Sequence, residues 1–150
     1  MEIKNEVDYY QIIKECIIHT VKKHTNMTRE YCHIVRIESP MEQGIPDIYV
    51  KIKRYEQFWI EAKIFPNQLS SFQKGFFKQC ELVGSKAFAL SYDRDDKVYM
   101  IMRPIQGVGK NLSEIIEYML GSLLVEAPGE APSALDNSQK QSRIIIPGRN

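Results

Sequence analysis

The stretch that most constrains this chain is Phe58-Trp59-Ile60-Glu61-Ala62-Lys63-Ile64, reached through Gly44-Ile45-Pro46-Asp47. Side chains on a β-strand alternate between two faces. Glu61 and Lys63 therefore leave one face with Trp59, while Ile60, Ala62 and Ile64 leave the other. An acid and an amine fixed side by side are unusual on a strand that should be half buried. Pro46 fixes its own φ and restricts the residue before it, so Asp47 enters the following strand at a set angle. That strand, Asp47 to Ile52, is separated from Phe58 to Ile64 by the polar turn Arg54-Tyr55-Glu56-Gln57. The two are expected to pair as a hairpin, with Asp47 across from the Glu61–Lys63 region. Two carboxylates and an ammonium then converge on one point. This is the equipment of a divalent-metal site with a charge stabiliser beside it, suited to attack on a phosphodiester by water. Taken without Asp47, Glu61 and Lys63 read by default as a surface cross-strand pair.

A chain of 150 residues should hold one domain with a real core. We assign that domain to residues 1–126 and a flexible tail to 127–150. The net charge of +1 argues against broad, non-specific DNA binding, so any nucleic-acid surface must come from local clusters of lysines. No apolar run approaches the roughly 20 residues of a membrane span, and the charged start Met1-Glu2-Ile3-Lys4-Asn5-Glu6 is not a signal peptide. Three widely spaced cysteines, Cys16, Cys32 and Cys80, suit a reducing cytoplasm better than a disulfide scaffold, and the compactness of the chain fits a bacterial cell or a phage-infected one.

Along the chain, Tyr10, Ile13, Ile17 and Val21 recur at helical spacing, predicting a helix from about Val7 to Lys23. Glu6 falls one turn before Tyr10, near the middle of that stripe. It is either a carboxylate in need of a partner such as a metal or an acid favoured at a helix start. Tyr31 to Ile37 reads as a first strand after a turn at Asn26-Met27-Thr28. Ser70 or Ser71 caps a helix running to about Val83, with Phe72, Phe76, Phe77 and Cys80 as its apolar face and Gly84 as its stop. Ala87 to Tyr92 and Val98 to Met102 are two more strands, and Leu112 to Leu124 is a last helix with Ser113 as its cap. Beyond about Glu126 the composition is too polar to order itself. Within it, Ile144-Ile145-Ile146 is either an edge strand offered to a sheet or partner, or part of a mobile tail.

This order of elements, with Pro46-Asp47 and Glu61-Ala62-Lys63, resembles the PD-(D/E)xK nuclease superfamily over about residues 6–92. Gly44-Ile45-Pro46-Asp47, Phe58 to Lys63, Leu69-Ser70-Ser71-Phe72-Gln73 and Gly84 look most like its VRR-NUC branch, which is similar to archaeal Holliday-junction resolvases and small phage nucleases. The V-R-R sequence that names the branch is absent, and Lys51-Ile52-Lys53 and Trp59-Ile60 stand in the strands instead. The resemblance implies an α/β fold with a restriction-endonuclease-like core, a mixed central sheet flanked by helices. It implies that Asp47, Glu61 and the Ala62 carbonyl bind Mg²⁺ or Mn²⁺ and that Glu6 completes the shell. It implies that Lys63 orients the attacking water and offsets transition-state charge, and that Gln73 supports the site or contacts the backbone of the nucleic acid.

The expected function is therefore metal-dependent hydrolysis of phosphodiesters in DNA, with branched or junction DNA as the narrower expectation. Asp47, Glu61, Lys63 and Gln73 are the catalytic set, and Lys51, Lys74, Lys78 and Lys86 are phosphate contacts or solvated positions. DNA is the expected partner, a homodimer the natural way to make two cuts, and the tail a point of attachment for a protein. The rival is a non-catalytic protein that keeps the nuclease fold to bind DNA or a partner. Cys16, His19, His24, Cys32 and His33 match no zinc-finger spacing. Three histidines without a serine or cysteine elbow make no hydrolase triad.

Overall fold

Helix α1 (Glu6–Thr25) begins where the Asn5 side chain accepts the Asp8 N–H at 2.9 Å and ends at Asn26, whose φ of 57° closes it in the left-handed region. Glu6 and Asp8 in the first turn, and Lys22, Lys23 and His24 in the last, complement the helix dipole. A single 3₁₀ turn, Arg29–Tyr31, leads into strand β1 (Cys32–Arg36), so the first strand starts one residue later than expected. Strands β2 (Ile48–Ile52) and β3 (Phe58–Ile64) follow, then helix α2 (Ser71–Val83), strands β4 (Lys86–Asp93), β5 (Val98–Arg103) and β6 (Gly107–Gly109), and helix α3 (Leu112–Leu123). This computed structural model describes residues 2–38, 43–104 and 106–125. The tail expected from residue 127, with its Ile144-Ile145-Ile146 triplet, lies outside them. Among the described residues no helix is long and apolar enough to cross a membrane.

The six strands form one sheet in sequence order. Every neighbouring pair is antiparallel except β3 and β4, which are parallel because α2 crosses between them. The chain thus has the α/β architecture expected of it, a mixed sheet flanked by helices. β3 is paired on both sides and reads as a nearly continuous buried run.

The two faces of β3 belong to two cores. Phe58, Ile60, Ala62 and Ile64 pack with Tyr9, Ile13, Ile17 and Val21 of α1 and with Ile115, Ile116 and Met119 of α3. Each large side chain buried there contributes about 1.5–3 kcal/mol. On the other face, Phe77 and Cys80 of α2 pack with Leu69, Ala87 and Ala89, and Trp59 lies against that smaller group. Among the described residues, α2 is the helix that covers the sheet face carrying Glu61 and Lys63.

The structure corrects three local expectations. Phe72 is 60% exposed rather than part of the apolar face of α2. Asn111, not Ser113, caps α3: its side-chain oxygen accepts the Ser113 N–H at 3.0 Å, and the Ser113 hydroxyl donates to the same oxygen at 2.7 Å. Tyr55, expected in a polar turn, is buried by a bridge to Leu124, and the Glu56 N–H bonds the Leu123 carbonyl at 2.8 Å.

Candidate functional site

The β2–β3 hairpin sets the first two side chains. Ile48 pairs with Ile60, and the same register one step further puts Asp47 opposite Glu61. The Ile37 N–H bonds the Asp47 carbonyl at 2.6 Å, which carries the β1–β2 ladder out to Asp47 and fixes its direction. Directly opposed residues on neighbouring strands share a face, with Cβ atoms roughly 4.5–5.5 Å apart. The loop before Asp47 is held from the other side. Gly44, at φ 98°, lies so close to the start of α2 that a Cβ there would meet the Phe72 backbone carbon at 2.7 Å. The glycine is required both for its backbone conformation and for that approach.

Glu61 is fully buried. Its Oε1 takes two donors: the Lys63 ammonium at 2.6 Å and the Gln73 amide Nε2 at 2.5 Å. Gln73 reaches it from the third position of α2, where a capping box ties the helix start. The Gln73 N–H bonds the Ser70 hydroxyl at 3.2 Å, and the Ser70 N–H bonds Gln73 Oε1 at 2.9 Å. The cap therefore fixes which end of the amide faces Glu61. The second carboxylate oxygen, Oε2, is buried without a hydrogen-bond partner among the described residues. A buried ionised oxygen left so is costly.

The electrostatics agree with a crowded acidic pocket. Burial, then the charge of Asp47, push the Glu61 carboxyl up to about 7 against the pull of Lys63. Burial raises Asp47 as well; the Lys63 ammonium opposes that rise, the charge of Glu6 adds to it, and the Ala62 N–H opposes it. For Lys63, burial acts to lower the ammonium's pKa but is outweighed by the bond to Glu61 and the charges of Glu61, Glu6 and Asp47, so it is raised. Lys63 is thus held as a cation. Glu6, half-buried at the first position of α1, acts on both Asp47 and Lys63 through its charge.

Among the described residues no three His, Cys, Asp or Glu side chains are gathered closely enough to hold an ion by themselves. The donors nevertheless fit Mg²⁺ or Mn²⁺. Two carboxylates face each other, a backbone carbonyl at Ala62 lies beside them in the chain, and Glu61 Oε2 has an open valence. Hard cations take such oxygens and keep several waters, so few protein ligands suffice.

The four lysines do not form one patch. Lys74 and Lys78 lie exposed on the solvent side of α2, whereas Lys51 and Lys86 line a common groove with Trp59. That groove is invisible in the sequence, because its walls come from β2, β3 and the segment between α2 and β4.

No protein-family model matches the chain, and no curated protein is significantly similar to it. Among solved structures, the Holliday junction resolvase Hjc of Archaeoglobus fulgidus is similar over 65% of this chain and 72% of its own, at 15% identity and a TM-score of 0.35. A superposition that loose says nothing about the residues of the site.

Proposed function

We propose that this chain is a metal-dependent nuclease that hydrolyses phosphodiester bonds in DNA, built on a restriction-endonuclease-like domain over residues 1–126. The observation that carries the reading is the asymmetric carboxylate of Glu61. Among the described residues the donors within hydrogen-bond distance, Lys63 and Gln73, both sit on Oε1, while Oε2 has no such partner and Asp47 lies opposite in the strand register. A structural ion pair would spend both oxygens on donors. A metal ligand keeps one back.

In this reading Asp47, Glu61 and the Ala62 carbonyl hold Mg²⁺ or Mn²⁺, with Glu6 completing the shell directly or through water. The bound ion supplies polarisation of the phosphoryl oxygen and a more acidic water. Gln73 holds Glu61 in the orientation that presents Oε2. Lys63, raised and cationic in the metal-free chain, orients the attacking water and offsets the negative charge that grows on the phosphoryl oxygens. One P–O bond forms to the water oxygen, one ester P–O bond breaks, and the departing oxygen takes up a proton. Lys51, Lys74, Lys78 and Lys86 contact phosphates, and a homodimer would pair two such cuts.

The test is Mg²⁺-dependent cleavage of plasmid, single-stranded and four-way-junction DNA. Asp47→Ala and Lys63→Ala should each lower the rate by at least about 100-fold, roughly 2.7 kcal/mol of transition-state stabilisation. Robust cleavage by both variants removes the assignment. Calorimetry with Mn²⁺ separates the binding-only rival, which should show no heat that depends on Asp47 and Glu61.

A further inference from the structure

A groove of about 300 Å³ lies along the sheet face from Glu61, between Lys51, Glu56, Gln57, Trp59, Ser85 and Lys86. The hydrolytic step described above leaves Trp59, Gln57, Glu56 and Ser85 without a role, and each wall of the groove carries a different chemistry. Trp59 packs in edge-to-face geometry with Tyr49 and Phe76, at ring-centroid distances of 5.0 and 5.6 Å, which fixes the plane of its ring. Gln57 accepts from the Tyr49 hydroxyl through Oε1 at 3.1 Å, so its amide NH₂ remains to donate. Lys51 gives one N–H to the Tyr55 carbonyl at 2.7 Å and keeps two. Gly84, at the end of α2, brings the carbonyl end of that helix to the groove. That end accepts hydrogen bonds and, like the Glu56 carboxylate, disfavours an anion near it, so a phosphate in the groove depends on both lysines to outweigh them.

A phosphate alone would need only the lysines. An aromatic plane, an amide donor, helix-end acceptors and two ammoniums together match a nucleobase with its phosphate. The volume is at the low end for small-molecule pockets, roughly 300–1,000 Å³, and is enough for one base. Trp59 and Glu61 are two residues apart on one strand face, about 6.6 Å.

We propose that this groove receives one unpaired nucleotide of the DNA, its base against Trp59 and Gln57 and its phosphate at Lys51 and Lys86, adjacent to the bond that is cut. The assignment rests on the nuclease reading. It makes unpaired DNA the preferred substrate, because a fully paired duplex must first unstack a base to fill the groove.

Trp59 is the sole tryptophan, so its fluorescence reports the groove directly. The full chain carrying Asp47→Asn, which removes a repelling charge and blocks cleavage, is titrated with a labelled single strand and with the same sequence fully paired. Anisotropy and Trp59 emission are read together. The expected result is saturable quenching by the single strand, binding at least about tenfold tighter than to the duplex, and a further loss of about tenfold when Lys51→Ala and Lys86→Ala are added. Binding without quenching, indifference to the lysine pair, equal affinity for the duplex, or no binding overturns the groove assignment. Mg²⁺-dependent cleavage by the parent chain then still supports the nuclease reading, whereas its absence removes both.

Discussion

The carbonyl oxygen of Gln73 takes the Ser70 N–H at 2.9 Å, which leaves the NH₂ end of its amide facing Glu61. One side chain therefore starts α2 and orients a candidate ligand, and a substitution can separate the two roles. Glutamate at the same position still closes a capping box and suits a helix N-terminus, but it sets a second anion against Glu61 Oε1. Gln73→Glu should keep the helix content and shift the thermal midpoint by no more than a few degrees, while Mg²⁺-dependent cleavage falls about 100-fold, or roughly 2.7 kcal/mol. Circular dichroism and initial rates check this; an unchanged rate would show that Gln73 belongs to the cap alone. At this scale the sequence was informative about faces and silent about depth. Strand alternation put Glu61 and Lys63 on one side, and Pro46 aimed Asp47. The approach of Gly44 to Phe72 and the bare oxygen of Glu61 depend on contacts between elements that no local pattern encodes.

Between elements, α1 and α3 are joined at their solvent edge by Glu117, whose Oε1 meets both Lys23 Nζ and His24 Nε2 at 3.1 Å. Burial acts to raise the Glu117 carboxyl, but the hydrogen bonds from His24 and Lys23 outweigh it and the group is lowered. A carboxyl held below its unfolded-state pKa stabilises the fold above that pKa, and the contribution is lost as pH falls through the folded value. Lys23 is 60% exposed, so solvent screening limits the effect. Glu117→Gln should cost up to about 1 kcal/mol near pH 7 and close to nothing in acid, below the folded-state pKa, measured by urea unfolding in both ranges. A difference that does not shrink with acid assigns the cost to packing. The elements themselves were legible where apolar spacing is strong, as in α1 with Tyr10, Ile13, Ile17 and Val21, all buried. They were illegible where the signal is weak or shared. β6 is three residues, two of them glycine, with no alternation to read. Asn111 and Ser113 are both good caps, and only the geometry chooses between them.

Across the whole molecule, the candidate site gathers groups from the loop before β2, from β3 and from the start of α2, with Glu6 at the start of α1 acting on them through its charge. An unfolded chain scatters these groups, so an ion that they hold binds the folded state alone and its binding free energy adds to stability. The net charge of +1 gives no general attraction to cations or to DNA, so a response to Mn²⁺ must be local. At an Mn²⁺ concentration about 100 times its dissociation constant, the gain is about 2.7 kcal/mol, or roughly 10 °C in the thermal midpoint for a chain of this size. Part of that gain comes from relieving the repulsion that Asp47 exerts on Glu61, whose carboxyl is held up to about 7 by burial and by the charge of Asp47. Asp47→Ala relieves the same repulsion without an ion. It should therefore raise the metal-free midpoint by part of that amount and abolish the rise with Mn²⁺. A differential scanning titration of both chains measures this, and an equal rise in the variant would place the ion somewhere other than between these two strands.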